Sequence, residues 1–129
     1  MLKGTVVVLA MTAALMVGCN KTDVVTGTWD GTLYFGQDTS SLKLVLTSKS
    51  GNVTGKVTAA DFGWVDKNIT SGTYVEDVLK ELTITADVGS PDGELTLDGL
   101  YGTLTGPRIA GSASTNGSTP RTGTFVVTK

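Results

Sequence analysis

The chain has 129 residues, of which 17% are charged, with 10 Lys and Arg against 12 Asp and Glu, 17 Gly, 3 Pro, one Cys and no His. A net charge of −2 with no block of like sign argues against a nucleic-acid partner, which calls for clustered Lys and Arg. The lack of His excludes imidazole acid–base chemistry, His triads and His–metal sites, and a single Cys excludes an internal disulfide.

The chain opens on Met1-Leu2-Lys3, a positive start, followed by an uncharged apolar run from Gly4 to Val17. That run is shorter than the roughly 20 residues a permanent membrane-spanning helix needs, and it has the length of a signal peptide. It ends at Leu15-Met16-Val17-Gly18-Cys19, where small Gly18 precedes the lone cysteine.

Residues 1–19 resemble a bacterial lipoprotein signal with its lipobox, although Met16 stands where that family most often has Leu. The resemblance implies cleavage before Cys19, lipidation of that residue, and a chain held to the membrane by its acyl chains. Two or more such chains anchor stably where one does not. In Gram-negative bacteria a residue other than Asp after the cysteine implies sorting to the outer membrane, and Asn20 fits. The competing readings are an uncleaved anchor helix and an ordinary secretory signal. Residues 1–18 are thus expected to be a signal peptide, 19–25 a lipidated tether and 26–129 a single folded domain, which is all that this length supports.

From Thr26 the pattern changes to a period of two. Over Thr26–Phe35 the odd positions are Gly27, Trp29, Gly31, Leu33 and Phe35, against polar even positions, which predicts a half-buried strand. The turn residues 36–40 separate it from a second strand over Ser41–Ser48, with Leu42, Leu44 and Leu46 on one face. A short turn leads to a third strand, Val53–Ala59, as in a hairpin. Ala60–Lys67 is predicted as the longest irregular loop, with Phe62 and Trp64 in it, before a weakly alternating fourth strand, Asn68–Val75. Glu76–Lys80 is a helical turn or an acidic loop. A fifth strand carries Leu82, Ile84, Ala86 and Val88 on one face, and Gly89–Gly93 is a turn cluster. Glu94–Thr105, Ile109–Ser114 and Arg121–Thr128 complete eight strands.

No segment after residue 19 has helical period, so parallel crossovers are not expected and short turns predict an antiparallel meander. The expected fold is all-β, a single eight-stranded antiparallel up-and-down barrel, whose closure removes exposed strand edges. Its outward residues are Thr, Lys, Asp and Ser, unlike the apolar band of a membrane-spanning barrel. Small inward residues such as Gly31, Gly55, Ala59 and Gly111 suit a narrow, strongly curved wall.

Gly27-Thr28-Trp29 resembles the first conserved region of lipocalins, and Thr26-Gly27-Thr28-Trp29 the first strand of avidin-type barrels, so the domain looks calycin-like. The resemblance implies that Trp29 lies at the closed end of the barrel, beneath a basic side chain from late in the chain. Arg121 is the candidate, with Lys129 second. The biotin-binding polar set of avidins cannot be traced in this chain.

The chemistry of the remaining residues is sparse. Asp61 and Asp66 flank the aromatic loop, and Asp92, Glu94 and Asp98 cluster by one turn, but their spacing matches no Ca²⁺ loop and no metal or other cofactor is expected. Phe62, Trp64 and Tyr74 are the candidate contacts for a ligand or partner at the barrel mouth, the alternative being that they cap the core. The expected function is that of an exported, non-enzymatic binding module on the outer membrane, facing the periplasm or the surface. It would hold a small apolar ligand or a protein partner. The alternative is a structural or surface-interaction lipoprotein with a filled barrel and no small-molecule ligand.

Overall fold

The computed structural model of the protein describes residues 23–129; the lipobox and Cys19 lie outside the described residues. A short 3₁₀ turn, Asp23–Val25, leads into eight strands: β1 (Gly27–Phe35), β2 (Asp38–Lys49), β3 (Asn52–Ala59), β4 (Trp64–Glu76), β5 (Lys80–Gly89), β6 (Gly93–Gly102), β7 (Arg108–Thr115) and β8 (Thr122–Thr128). Each strand pairs antiparallel with the next, and β8 pairs back onto β1, so the sheet closes into an up-and-down barrel. This architecture is consistent with a calycin-like fold.

Alternation dictates what the barrel encloses. In β2, Ser40, Leu42, Leu44, Leu46 and Ser48 point inward while their neighbours face solvent. The inward set is joined by Trp29 and Leu33 of β1, Leu82 and Ile84 of β5, Leu95 and Leu97 of β6, Ile109 of β7, and Phe125 and Val127 of β8. Strands approach closely where the inward residue is glycine. At Gly31 a Cβ would lie well inside van der Waals contact with the Val126 carbonyl oxygen, and at Gly55 it would meet that of Val45 in the same way.

Strand β4 departs most from expectation. It begins at Trp64, inside the segment predicted as a loop, and only Ala60–Gly63 remains as a connection, with Ala60–Phe62 in a 3₁₀ turn. Its inward positions run Trp64, Lys67, Ile69, Gly72 and Tyr74. Two of those steps are three residues long, matching the register irregularities with β3 and β5. Each bulge switches the face of every later residue, which is why the period of two is blurred in the sequence.

The meander sorts the connections into two ends. The entry end holds Asp23–Val25, the β2–β3, β4–β5 and β6–β7 hairpins and Lys129. The far end holds the β1–β2, β3–β4, β5–β6 and β7–β8 connections. Among the described residues no helix is long and apolar enough to cross a membrane.

Candidate functional site

The far end is closed by aromatic rings around one cation. Gly63 takes a left-handed conformation after the 3₁₀ turn, with its N–H bonded to the Ala60 carbonyl at 2.9 Å. The turn is tied to β2, since the Ser41 N–H donates to Asp61 Oδ2 at 3.2 Å and the Asp61 N–H donates to Ser40 Oγ at 3.1 Å. This brings Phe62 against Phe35 and Trp64, with ring centroids 5.7 and 5.3 Å away. The Arg121 guanidinium lies 4.7 Å from the Phe35 centroid, 5.0 Å from Phe62 and 5.9 Å from Trp64. Its Nη2 pairs with Asp92 Oδ1 at 3.0 Å, and Trp64 Nε1 donates to the other carboxylate oxygen at 3.3 Å. Trp64 and Phe35 are buried and only Phe62 is half-exposed, so the cluster seals the core instead of lining an open mouth. The guanidinium serves here as a clamp, gripping the Asp92 carboxylate while lying across three rings.

The entry end holds a second cluster, built on Trp29. Its indole N–H donates to the Val25 carbonyl at 2.9 Å, and Val25, fully buried, closes the core beside it. Tyr101 meets the indole edge-on at 6.2 Å, and Tyr74 meets Tyr101 the same way at 6.4 Å. The cation over Trp29 is Lys129, with Nζ 5.3 Å from the ring centroid and 3.2 Å from the Val24 carbonyl it donates to.

Two sequence expectations are therefore corrected. Arg121 does not cover Trp29, because β8 runs antiparallel to β1: Asp30 pairs with Thr128, while Tyr34 pairs with Thr124. The end of β8, and with it Lys129, lies at the start of β1, whereas Arg121 arrives beside Phe35. Tyr74 does not join Phe62 and Trp64, because it lies ten residues along β4 from Trp64, about 30 Å of extended chain. The signal for the first correction was present in the sequence, since closure of an even-numbered meander brings the C-terminus to the start of the first strand. The part played by Phe35 and Asp92 in the far cluster is not legible in the sequence, since they and Arg121 come from separate stretches of chain that only barrel closure brings together.

Between the two clusters the barrel is filled. No sphere the size of a water molecule touches Trp29, Leu33, Leu44, Val57, Leu82, Leu97, Ile109 or Val127, all 0% exposed. Two grooves lie on the outer surface: one of about 400 Å³ on the β6–β7 hairpin, lined by Leu100, Leu104 and Arg108 among others, and one of about 420 Å³ beside the β2–β3 turn.

The carboxylates do not converge. Asp92 is committed to Arg121, and Glu94 receives the Asn116 amide at 3.4 Å. Asp98 lies beside Glu81, whose carboxyl is held above its usual range chiefly by its hydrogen bond with Asp98 and by that residue's charge. Among the described residues no group of three or more His, Cys, Asp or Glu is placed to hold a metal.

Tyr74 carries a buried hydroxyl with no hydrogen-bond partner among the described residues. Burial, with smaller contributions from the charge of Glu76 and from Tyr101, pushes its pKa from 10.0 up to about 12. Tyr74→Phe is expected to hold or raise stability, by about 1 kcal/mol, since it removes an unsatisfied polar atom and keeps the ring. The sign also predicts a pH dependence. A raised folded pKa gives stability that is present below pH 10 and lost as pH climbs towards about 12. Thermal melts between those limits should therefore show the Phe variant gaining on the wild type, and parallel pH profiles would refute the burial of this hydroxyl.

Comparison with known protein families, curated proteins and solved structures finds no match to this chain.

Proposed function

We propose that the protein is an exported bacterial lipoprotein, acylated at Cys19 and held in the outer membrane, facing the periplasm or the surface. There its barrel serves as a non-enzymatic binding module for a protein partner. The observation that supports this choice is the filled interior. A site for a small apolar ligand needs a cavity of roughly 300–1,000 Å³. Here the inward side chains occupy that space, and both ends are sealed by aromatic clusters. Of the occupants expected from the sequence, a protein partner is the one that a filled barrel accommodates, because it needs only the outer surface. The dispersed and paired carboxylates and the lack of His favour binding over catalysis.

The lipobox resemblance supports the anchor, and the polar outer wall supports the need for one. Native mass spectrometry of protein extracted from its own envelope membranes tests the reading. The expected spectrum shows an acylated chain with a second polypeptide and no small molecule; a stoichiometric small molecule released on unfolding would overturn it. Fatty-acid labelling should disappear in Cys19→Ser, and retained label would overturn the anchor.

A further inference from the structure

The three most exposed large apolar side chains among the described residues gather at one end. Leu104 is 100% exposed, Val78 93% and Leu79 61%. Val78 and Leu79 form the tip of the β4–β5 hairpin, and Leu104 the tip of the β6–β7 hairpin. The hairpins are neighbours, because β5 pairs with β6, and the outward row Val75, Glu81, Leu100 runs across them. Turn tips are ordinarily polar, whereas these two neighbouring tips carry three exposed apolar side chains. Clustered exposed apolar residues mark a contact surface.

The same end receives the start of the domain. Lys129 joins the two, with its N–H bonded to the Pro107 carbonyl at 3.3 Å and its Nζ to that of Val24 at 3.2 Å. Asp23 follows Cys19 by four residues, which reach at most about 14 Å when fully extended. An acyl anchor at Cys19 therefore holds this end, and not the far end, within about 14 Å of its lipid attachment.

We infer that the entry end docks on the bilayer surface, with the tips of the β4–β5 and β6–β7 hairpins inserted among the lipid headgroups. This rests on anchoring at Cys19. The tether makes insertion an intramolecular event at high effective concentration, so a few apolar side chains suffice. Lys80 and Arg108 on these hairpins stand among Glu76, Asp77 and Glu81, so the docking is apolar, indifferent to lipid charge and weakly dependent on salt. It leaves the far end and the upper wall facing away from the membrane.

The test places an environment-sensitive fluorophore at Thr105→Cys or, for the far end, at Gln37→Cys in the full acylated protein, whose Cys19 thiol is blocked. The protein is reconstituted in phosphatidylcholine vesicles carrying a lipid-phase quencher. Quenching is expected to be several-fold greater at 105 than at 37 and to be lost in Val78→Asp/Leu79→Asp/Leu104→Asp, whose melting temperature should be unchanged. Equal, weak quenching at both positions, with acylation of Cys19 verified by mass, would overturn docking and leave the anchor standing. A blue shift at 105 without lipid-phase quenching would also overturn it, in favour of a second copy covering the tips. An unacylated Cys19 would overturn the anchor instead. In that case the same chain added to vesicles decides docking alone, by quenching at 105 or its lack.

Discussion

Trp29→Ala is expected to lower stability by about 3–5 kcal/mol, the range for truncating a large buried aromatic. The indole is 0% exposed and contributes at four places at once. It fills the entry end of the core, meets Tyr101 edge-on, donates to the Val25 carbonyl, and lies beneath Lys129. Truncation leaves a cavity against residues of a closed sheet, which cannot collapse inward without breaking its ladder. It also leaves the Val25 carbonyl without its partner. Since a domain has only about 5–15 kcal/mol in total, the urea midpoint should fall steeply. Lys129→Met separates the contributions: it leaves the indole and removes the cation with its hydrogen bond to the Val24 carbonyl, and should cost about 0.5–2 kcal/mol. A Trp29→Ala midpoint equal to that of the wild type would show that the indole is not part of the core.

Gly31→Ala is the second large effect, and it works through the backbone. Gly31 pairs with Leu42 of β2 on one side and Val127 of β8 on the other, at the seam where the barrel closes. A Cβ there would overlap the Val126 carbonyl oxygen and lie 2.7 Å from the Val127 Cα. No rotamer relieves a clash with main chain, so β1 and β8 must part. The cost should reach or exceed about 3 kcal/mol, the upper part of the range for overpacking. Amide exchange should rise first at Thr32, Leu33, Val126 and Val127. Gly102→Ala is the matched control, because nothing lies within 4 Å of a Cβ at that position. Equal midpoints for the two variants would refute the close approach at the seam.

The two substitutions mark different kinds of legibility. Trp29 stood out in the sequence as the largest residue on an alternating face, and its burial followed from parity alone. Gly31 stood on the same face, but the neighbour it approaches is nearly a hundred residues away in the chain. Its proximity to Val126 depends on closure and shear, which no local pattern encodes. Strand β4 shows a third case. Its residues favour a strand, but bulges after Trp64 and Ile69 shift the parity, and a reading by strict alternation places its first residues in a loop.

The same division holds for the candidate site. That Phe62 and Trp64 lie together follows from their spacing, whereas nearness in sequence wrongly groups Tyr74 with them. In a strand, closeness in sequence means distance in space, and β4 carries Tyr74 to the opposite end. Arg121 and Lys129 bracket one strand and so end on opposite clusters. Leu104, Val78 and Leu79 are not legible as one patch: Leu104 falls within a predicted strand that in fact ends at Gly102, and only the pairing of β5 with β6 brings the two hairpins side by side.

By itself the sequence determined that the domain is all-β, that its eight strands run as a meander, and which residues point inward along most of them. The reason is that period-two alternation and short turns are local properties, written within a few residues of one another. Only the tertiary structure decided which cluster each aromatic and cation joins, that the interior is filled, and that the exposed apolar tips share an end with the entry of the chain. Those depend on closure of β8 onto β1 and on summed side-chain volume inside the barrel, and both are properties of the whole sheet.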